Sequence, residues 1–174
     1  MHRPFALAAI LMAIVAASLT LGSPQSVLAH CEVPCGIYGD HARIEQMLED
    51  TTTIGKAAGQ IVELAAKSDP LSQNQLVRWV NTKEEHATRI QQTIAQYFLT
   101  QRVKPAPLGT PEGEAYQQKL VQHHAVLLAA MKAKQGVDPS LVKALARTIE
   151  TIAPYYPAPA QEGPGGEHQG HDHR

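Results

Sequence analysis

Aromatic side chains are scarce in this chain: one tryptophan, two phenylalanines and five tyrosines among 174 residues. Sheets lean on aromatic and β-branched residues to fill their pleated faces, whereas the alanine, leucine and glutamine that are common here favour helices. Charge of one sign is also lacking. Fifteen Lys and Arg stand against sixteen Asp and Glu, a formal net charge of −1, so no basic surface argues for a nucleic-acid partner. Cysteine occurs only twice, and both cysteines fall within five residues of each other. No internal repeat is evident, and the chain has one long apolar run, at its start.

That run has the grammar of an export signal. Arg3 supplies a positive start, Phe5 to Leu21 is nearly unbroken apolar sequence, and Gly22 to Gln25 interrupts it before Val27-Leu28-Ala29, whose small residues suit signal peptidase. At about 17 apolar residues the stretch is slightly short for a membrane span. Residues 1–29 are therefore expected to be a removed signal peptide, leaving no stable membrane anchor and a protein that is periplasmic or extracellular. Cleavage after Ala29 leaves about 145 residues, enough for one domain with a real core.

The mature chain reads as all-α. Asp40 can cap a helix to about Lys67, with Ile44, Met47, Leu48, Ile54, Ile61 and Leu64 on one side. Gly55, Gly59 and the run Thr51-Thr52-Thr53 weaken it. Ser68-Asp69-Pro70 is a cap followed by proline in the first turn, where the missing N–H costs nothing. The helix it opens runs to about Phe98, with Leu76, Trp79, Val80, Ala87, Ile90, Ile94 and Tyr97 or Phe98 as its buried stripe. Pro105 and Pro107 make a rigid connector. Thr110-Pro111 and Asp138-Pro139 then repeat the cap-plus-proline signature, opening helices to about Lys134 and to just before Pro154. Four amphipathic helices on short connectors, residues 39–153, predict an antiparallel four-helix bundle. Residues 154–174 turn to Pro, Gly, Ala and Glu and end in a His-rich stretch, Glu167-His168-Gln169-Gly170-His171-Asp172-His173-Arg174, expected to be a flexible tail with affinity for divalent metals.

Chemistry concentrates in residues 30–38, His30-Cys31-Glu32-Val33-Pro34-Cys35-Gly36-Ile37-Tyr38. Removal of the signal peptide would make His30 the N-terminus and add an α-amine to an imidazole and two thiols. Two cysteines in an exported protein ordinarily suggest a disulfide. Bridging Cys31 to Cys35 would close only a tiny loop, however, and stabilise the fold little. The alternative is a metal site. The His30 amine, the Cys31 amide nitrogen and the two sulfurs form an N2S2 set, which suits nickel or copper better than tetrahedral zinc.

His-Cys-x-x-Pro-Cys-Gly-x-Tyr resembles the metal hook of nickel-containing superoxide dismutases. The resemblance extends to Arg43-Ile44-Glu45, Lys83-Glu84-Glu85 and Tyr97-Phe98. It implies a dismutase that converts superoxide anion to dioxygen and hydrogen peroxide through a Ni(II)/Ni(III) cycle. His30, Cys31 and Cys35 would hold the nickel ion, with the His30 imidazole axial in the oxidised state. Glu45 would orient that imidazole, Tyr38 would guard the open nickel face, and Tyr97 would stand behind Tyr38. A homohexamer is implied as well. Two positions depart from the family pattern: Glu32 replaces an Asp, and His86 stands where an arginine helps to hold the axial imidazole. The rival from another class is an exported helical carrier of nickel or copper that captures metal without turnover. Outside these positions, His123 and His124 are expected at the surface or at subunit contacts, and Trp79 in the core.

Overall fold

The computed structural model describes residues 39–159, so the signal segment, the hook 30–38 and residues 160–174 of the tail lie outside the described residues. Four α-helices account for most of what is described: α1 (Asp40–Ala65), α2 (Pro70–Gln92), α3 (Pro111–Gln135) and α4 (Pro139–Ile152). A π-helical stretch, Thr93–Arg102, extends α2, and a 3-10 turn, Ala153–Tyr155, follows α4. There is no strand among the described residues.

Three of the four helix starts follow from the cap-plus-proline signature. The Asp69 carboxylate accepts from the Ser72 N–H at 3.0 Å, Thr110 Oγ1 from the Gly113 N–H at 3.1 Å, and Asp138 from the Ser140 N–H at 2.8 Å. Each cap contributes about 1 kcal/mol. α1 starts differently from expectation. Its N-cap is Gly39, which has no side chain to cap with, and the Asp40 carboxylate turns sideways to partners on another helix. The threonine run does not break α1, since Thr51, Thr52 and Thr53 each bond back to the carbonyl four residues earlier. Gly55 has a use there. A Cβ at that position would sit 3.2 Å from the Val142 side chain, so glycine lets α4 close against α1.

Each helix packs on the next, and α4 returns to α1, which closes the bundle. The pairing of Asp40 with Tyr97 and of Asp50 with His86 runs in opposite senses along α1 and the α2–π element, so these neighbours are antiparallel. The core holds Ile44, Met47 and Ile54 from α1, Ala87, Ile90, Ile94 and Phe98 from α2 and its extension, and Val126, Ala130, Leu145, Ile149 and Ile152 from α3 and α4. Tyr156 belongs to it too. Ordered packing thus runs past 153, where the sequence suggested the tail would begin.

The stripe expected along α2 is buried only in its second half. Leu76 and Trp79 are half-buried, and Leu71, Val77 and Val80 are exposed. The cause is unequal length. α3 ends opposite Lys83, whose ammonium meets its last carbonyls, so residues 70–82 extend beyond α3 and have α1 as their neighbour. Trp79, expected in the core, instead lies with the Lys56 ammonium 5.8 Å from its ring centre.

Candidate metal centre

Residue 39 is the first described, so the described chemistry-bearing residues nearest in sequence to 30–38 are those at the start of α1. Asp40 is the first of them. Its Oδ1 accepts from the Tyr97 hydroxyl at 2.5 Å, and its Oδ2 accepts from Arg102 Nε at 2.9 Å and Nη2 at 2.5 Å. The π-helical stretch makes this double contact possible. In an α-helix, residues five apart are rotated by about 140° from each other, whereas i→i+5 hydrogen bonding stacks them. Tyr97 and Arg102 therefore reach the same carboxylate. Two polar side chains within this stretch keep the same spacing: Thr100 Oγ1 donates to the Ala95 carbonyl and Gln101 to that of Gln96.

Tyr97 is buried, packs edge-on to Phe98 with ring centres 5.2 Å apart, and carries the Arg43 guanidinium 5.4 Å from its ring centre. Burial, and after it the hydrogen bond to Asp40, pushes its phenol above the ordinary value. The same carboxylate raises the Arg102 guanidinium.

Glu45 lies one turn after His41, with its side chain 66% exposed and its carboxylate 3.4 Å from His41 Nε2. His41 in turn has Nδ1 3.2 Å from the Tyr156 carbonyl. Glu45 is thus on the same helix face as His41 and open to solvent. His30, Cys31, Cys35 and Tyr38 lie outside the described residues. Among the described residues there is no group of three or more His, Cys, Asp or Glu side chains arranged to hold a metal.

His86 does not point at an open face. Its Nδ1 is 2.7 Å from Asp50 Oδ1, which also accepts from Arg89 Nη1 at 3.0 Å. Asp50 is 1% exposed. Lys83 is likewise buried, donating to the carbonyls of Ala133, Lys134 and Gly136 at the end of α3.

His123 corrects the expectation of a surface position, since it is fully buried while His124 is exposed. Its Nδ1 is 2.7 Å from the Lys119 carbonyl, which requires a proton on that nitrogen, and its Nε2 then accepts from the Tyr156 hydroxyl at 2.8 Å. Burial lowers its pKa from the ordinary value. Adjacent helical residues point about 100° apart, so one histidine of the pair enters the core and the other does not.

Asp40, Arg102 and Asp50 escape a sequence reading for separate reasons. Asp40 resembles a cap, nothing in the apolar spacing announces a π-helix, and Asp50 looks like one more solvated acid on a charged helix. No helix among the described residues is long and apolar enough to cross a membrane. Comparison with family models matches residues 25–159 to the model described as nickel-containing superoxide dismutase. Neither curated proteins nor solved structures give a match.

Proposed function

Because the chain belongs to the family of nickel-containing superoxide dismutases, its activity is nickel-dependent dismutation of superoxide, and we propose that residues 30–38 form the site at which it occurs. The His30 amine and imidazole, the Cys31 amide nitrogen, and the sulfurs of Cys31 and Cys35 would hold the nickel. The chemistry of the donor set fits: soft thiolates with nitrogen donors suit nickel, whereas hard oxygen ligands suit magnesium or calcium. When bound, nickel supplies one-electron chemistry between Ni(II) and Ni(III), by which one superoxide leaves as dioxygen and another, with two protons, as hydrogen peroxide.

The protein's own residues bind, orient and supply protons around that centre. Tyr38 closes the hook and arranges water or anion beside the metal. Tyr97, behind it, is held by Asp40 at the bundle end. Glu45 orients the His30 imidazole; its exposed carboxylate has lone pairs left for a second donor beside His41. Superoxide is a small anion handled near the diffusion ceiling, so open access matters more than tight binding.

The export segment 1–29 exposes the His30 amine, and the protein works in the periplasm or outside the cell. The family resemblance implies assembly as a homohexamer, and the apolar side chains left exposed on α2 and α3, among them Leu71, Val77, Val121 and Leu128, support self-association without fixing its number. The His-rich end of the tail assists metal capture. The observation that carries the site is the His-Cys-x-x-Pro-Cys motif, which lies within the matched span 25–159 and is followed five residues later by Asp40, the partner of Tyr97.

The test is N-terminal sequencing and metal analysis of the exported protein, followed by superoxide dismutation after loading with nickel, copper or zinc. Turnover with nickel alone, by a chain that begins at His30 and is lost on adding one residue before it, is the expected result. Full activity with that extra residue, or without nickel, refutes the site. A carrier would bind nickel and leave superoxide unconsumed.

A further inference from the structure

The Asp40 side chain is the unusual feature of the bundle end. At the first residue of a helix an aspartate normally serves the helix N-terminus, and here it makes no cap bond. Both of its oxygens are spent instead on the π-helical stretch, one on the Tyr97 hydroxyl and the other on two nitrogens of Arg102. Arg102 is a donor only. It therefore fixes the polarity of the whole chain: Arg102 donates to Asp40, and Asp40, with acceptors alone, accepts the hydrogen bond of the Tyr97 hydroxyl.

We propose that Asp40 is a positioning residue that holds the Tyr97 phenol as a hydrogen-bond acceptor toward the hook, so that Tyr97 orders what lies beyond it without serving as the proton donor. The inference rests on the dismutase reading of residues 30–38. With its O–H committed to Asp40 Oδ1, the Tyr97 oxygen offers only lone pairs to a water or hydroxyl on the hook side. Protons for peroxide must then come from elsewhere, such as water or Tyr38. Asp40 is two residues from Tyr38 in the chain, so the carboxylate that orients Tyr97 belongs to the first helical residue after the hook sequence. Among the described residues, the charged and titratable groups facing Tyr97 include Asp40 and Arg43 from α1, Arg102 from the π-helical stretch, and Tyr156 beyond α4.

Asp40→Asn inverts this polarity. Arg102 selects the amide oxygen, the amide NH2 then faces Tyr97, and the phenol proton swings toward the hook. The experiment follows tyrosine 13Cζ resonances against pH in the metal-free mature chain, with the Tyr97 signal assigned by its loss in Tyr97→Phe. In Asp40→Asn the Tyr97 phenol is expected to ionise at lower pH than in the parent, in Asp40→Glu to stay high, and in Arg102→Gln to move higher still because a neighbouring positive charge is gone. General loosening of the site cannot produce shifts of opposite sign. In the nickel-loaded protein, Asp40→Asn should lower kcat/KM several-fold at pH values below the ionisation of the Tyr97 phenol, where its proton faces the wrong way, while Asp40→Glu stays close to the parent.

Equal titration in all variants, or shifts of one sign, overturns the contact. A shifted titration with an unmoved kcat/KM profile overturns the positioning role. Should Asp40→Asn not fold, an upward shift in Arg102→Gln with Asp40→Glu unmoved supports the contact, and an unmoved or lowered Tyr97 titration in Arg102→Gln overturns it. If the parent chain itself shows no nickel-dependent turnover, it is the dismutase reading that has failed, and the role assigned to Asp40 falls with it even where the titration behaves as described.

Discussion

Replacing Lys83 with methionine separates a structural position from a chemical one inside a segment that resembles the dismutase family. The Lys83 ammonium is buried and donates to three carbonyls at the end of α3, to Ala133 at 3.2 Å, to Gly136 at 3.2 Å and to Lys134. These are among the last carbonyls of the helix, which have no intrahelical partner, and a cation beside them also meets the negative end of the helix dipole. Methionine keeps the volume of the stem and removes the charge. The buried contact to Ala133 is worth about 1.5–3 kcal/mol as a hydrogen bond from a charged donor. The other two acceptors are partly exposed and regain water, so they add less. A total loss of about 2–4 kcal/mol follows, which lowers the melting temperature of a domain this size by roughly 10 °C. Urea and thermal unfolding of the metal-free mature chain, followed by far-UV circular dichroism, measures it. Glu84→Gln is the control, since the Glu84 pairs with Lys83 and Lys134 at 3.8 and 3.6 Å involve a side chain 43% exposed, and its cost should stay below about 0.5 kcal/mol. Activity per folded, nickel-loaded molecule should be unchanged in Lys83→Met. A loss of stability under about 0.5 kcal/mol, within the range of an ordinary surface substitution, would refute the cap, and so would lost turnover in a chain of undiminished stability.

Two further substitutions test other parts of the bundle. Because burial depresses the His123 pKa below its ordinary 6.5, the unfolded chain binds a proton there that the folded chain resists; stability is full above pH 6.5 and is lost as pH falls through the folded value. Urea midpoints between pH 7.5 and 5 should therefore fall more steeply for the parent than for His123→Gln, and parallel slopes would refute a buried neutral imidazole. Gly113→Ala places a Cβ 2.1 Å from the Pro107 carbonyl oxygen, whereas Gly59→Ala meets nothing within 4 Å. The first should destabilise by about 2–4 kcal/mol, a strained-backbone cost, and the second should stabilise by up to about 1 kcal/mol, both read from denaturant midpoints; equal effects would contradict the close approach of α3 to its connector.

The helix starts were legible because capping is local chemistry. Asp69, Thr110 and Asp138 act on N–H groups two or three residues away, and a proline beside each removes the competing conformations. What was not legible depends on partners distant in sequence. Asp40 gives up its cap for Tyr97 and Arg102, some sixty residues on, and the apolar spacing Ile94, Tyr97, Phe98 reads equally as α-helix or π-helix. The exposed first half of α2 follows from where α3 stops, a length relation that no window of α2 contains. Of the candidate site, the hook motif was fully visible in the order of its residues, and the position of Tyr97 was visible only through the family resemblance. Its hydrogen-bond partner was not visible at all.

His86 shows why a matched position need not keep its partner. A carboxylate buried as deeply as Asp50, at 1% exposure, is costly to hold charged unless donors surround it. Its Oδ1 takes two, from His86 and Arg89, while Oδ2 has none among the described residues. One imidazole and one guanidinium thus converge on a single oxygen at the α1–α2 contact. Taking either away leaves a buried charge short of compensation, which is the expensive way to break such a cluster. The His86 Nδ1 is therefore committed to the helix pair, and a hold on the His30 imidazole from this position would have to come through Nε2, a single ring nitrogen in place of the fork of donors that an arginine provides. In the proposed site the burden of orienting the hook would then fall on α1, where Glu45 stands open to solvent and Asp40 grips the element that carries Tyr97.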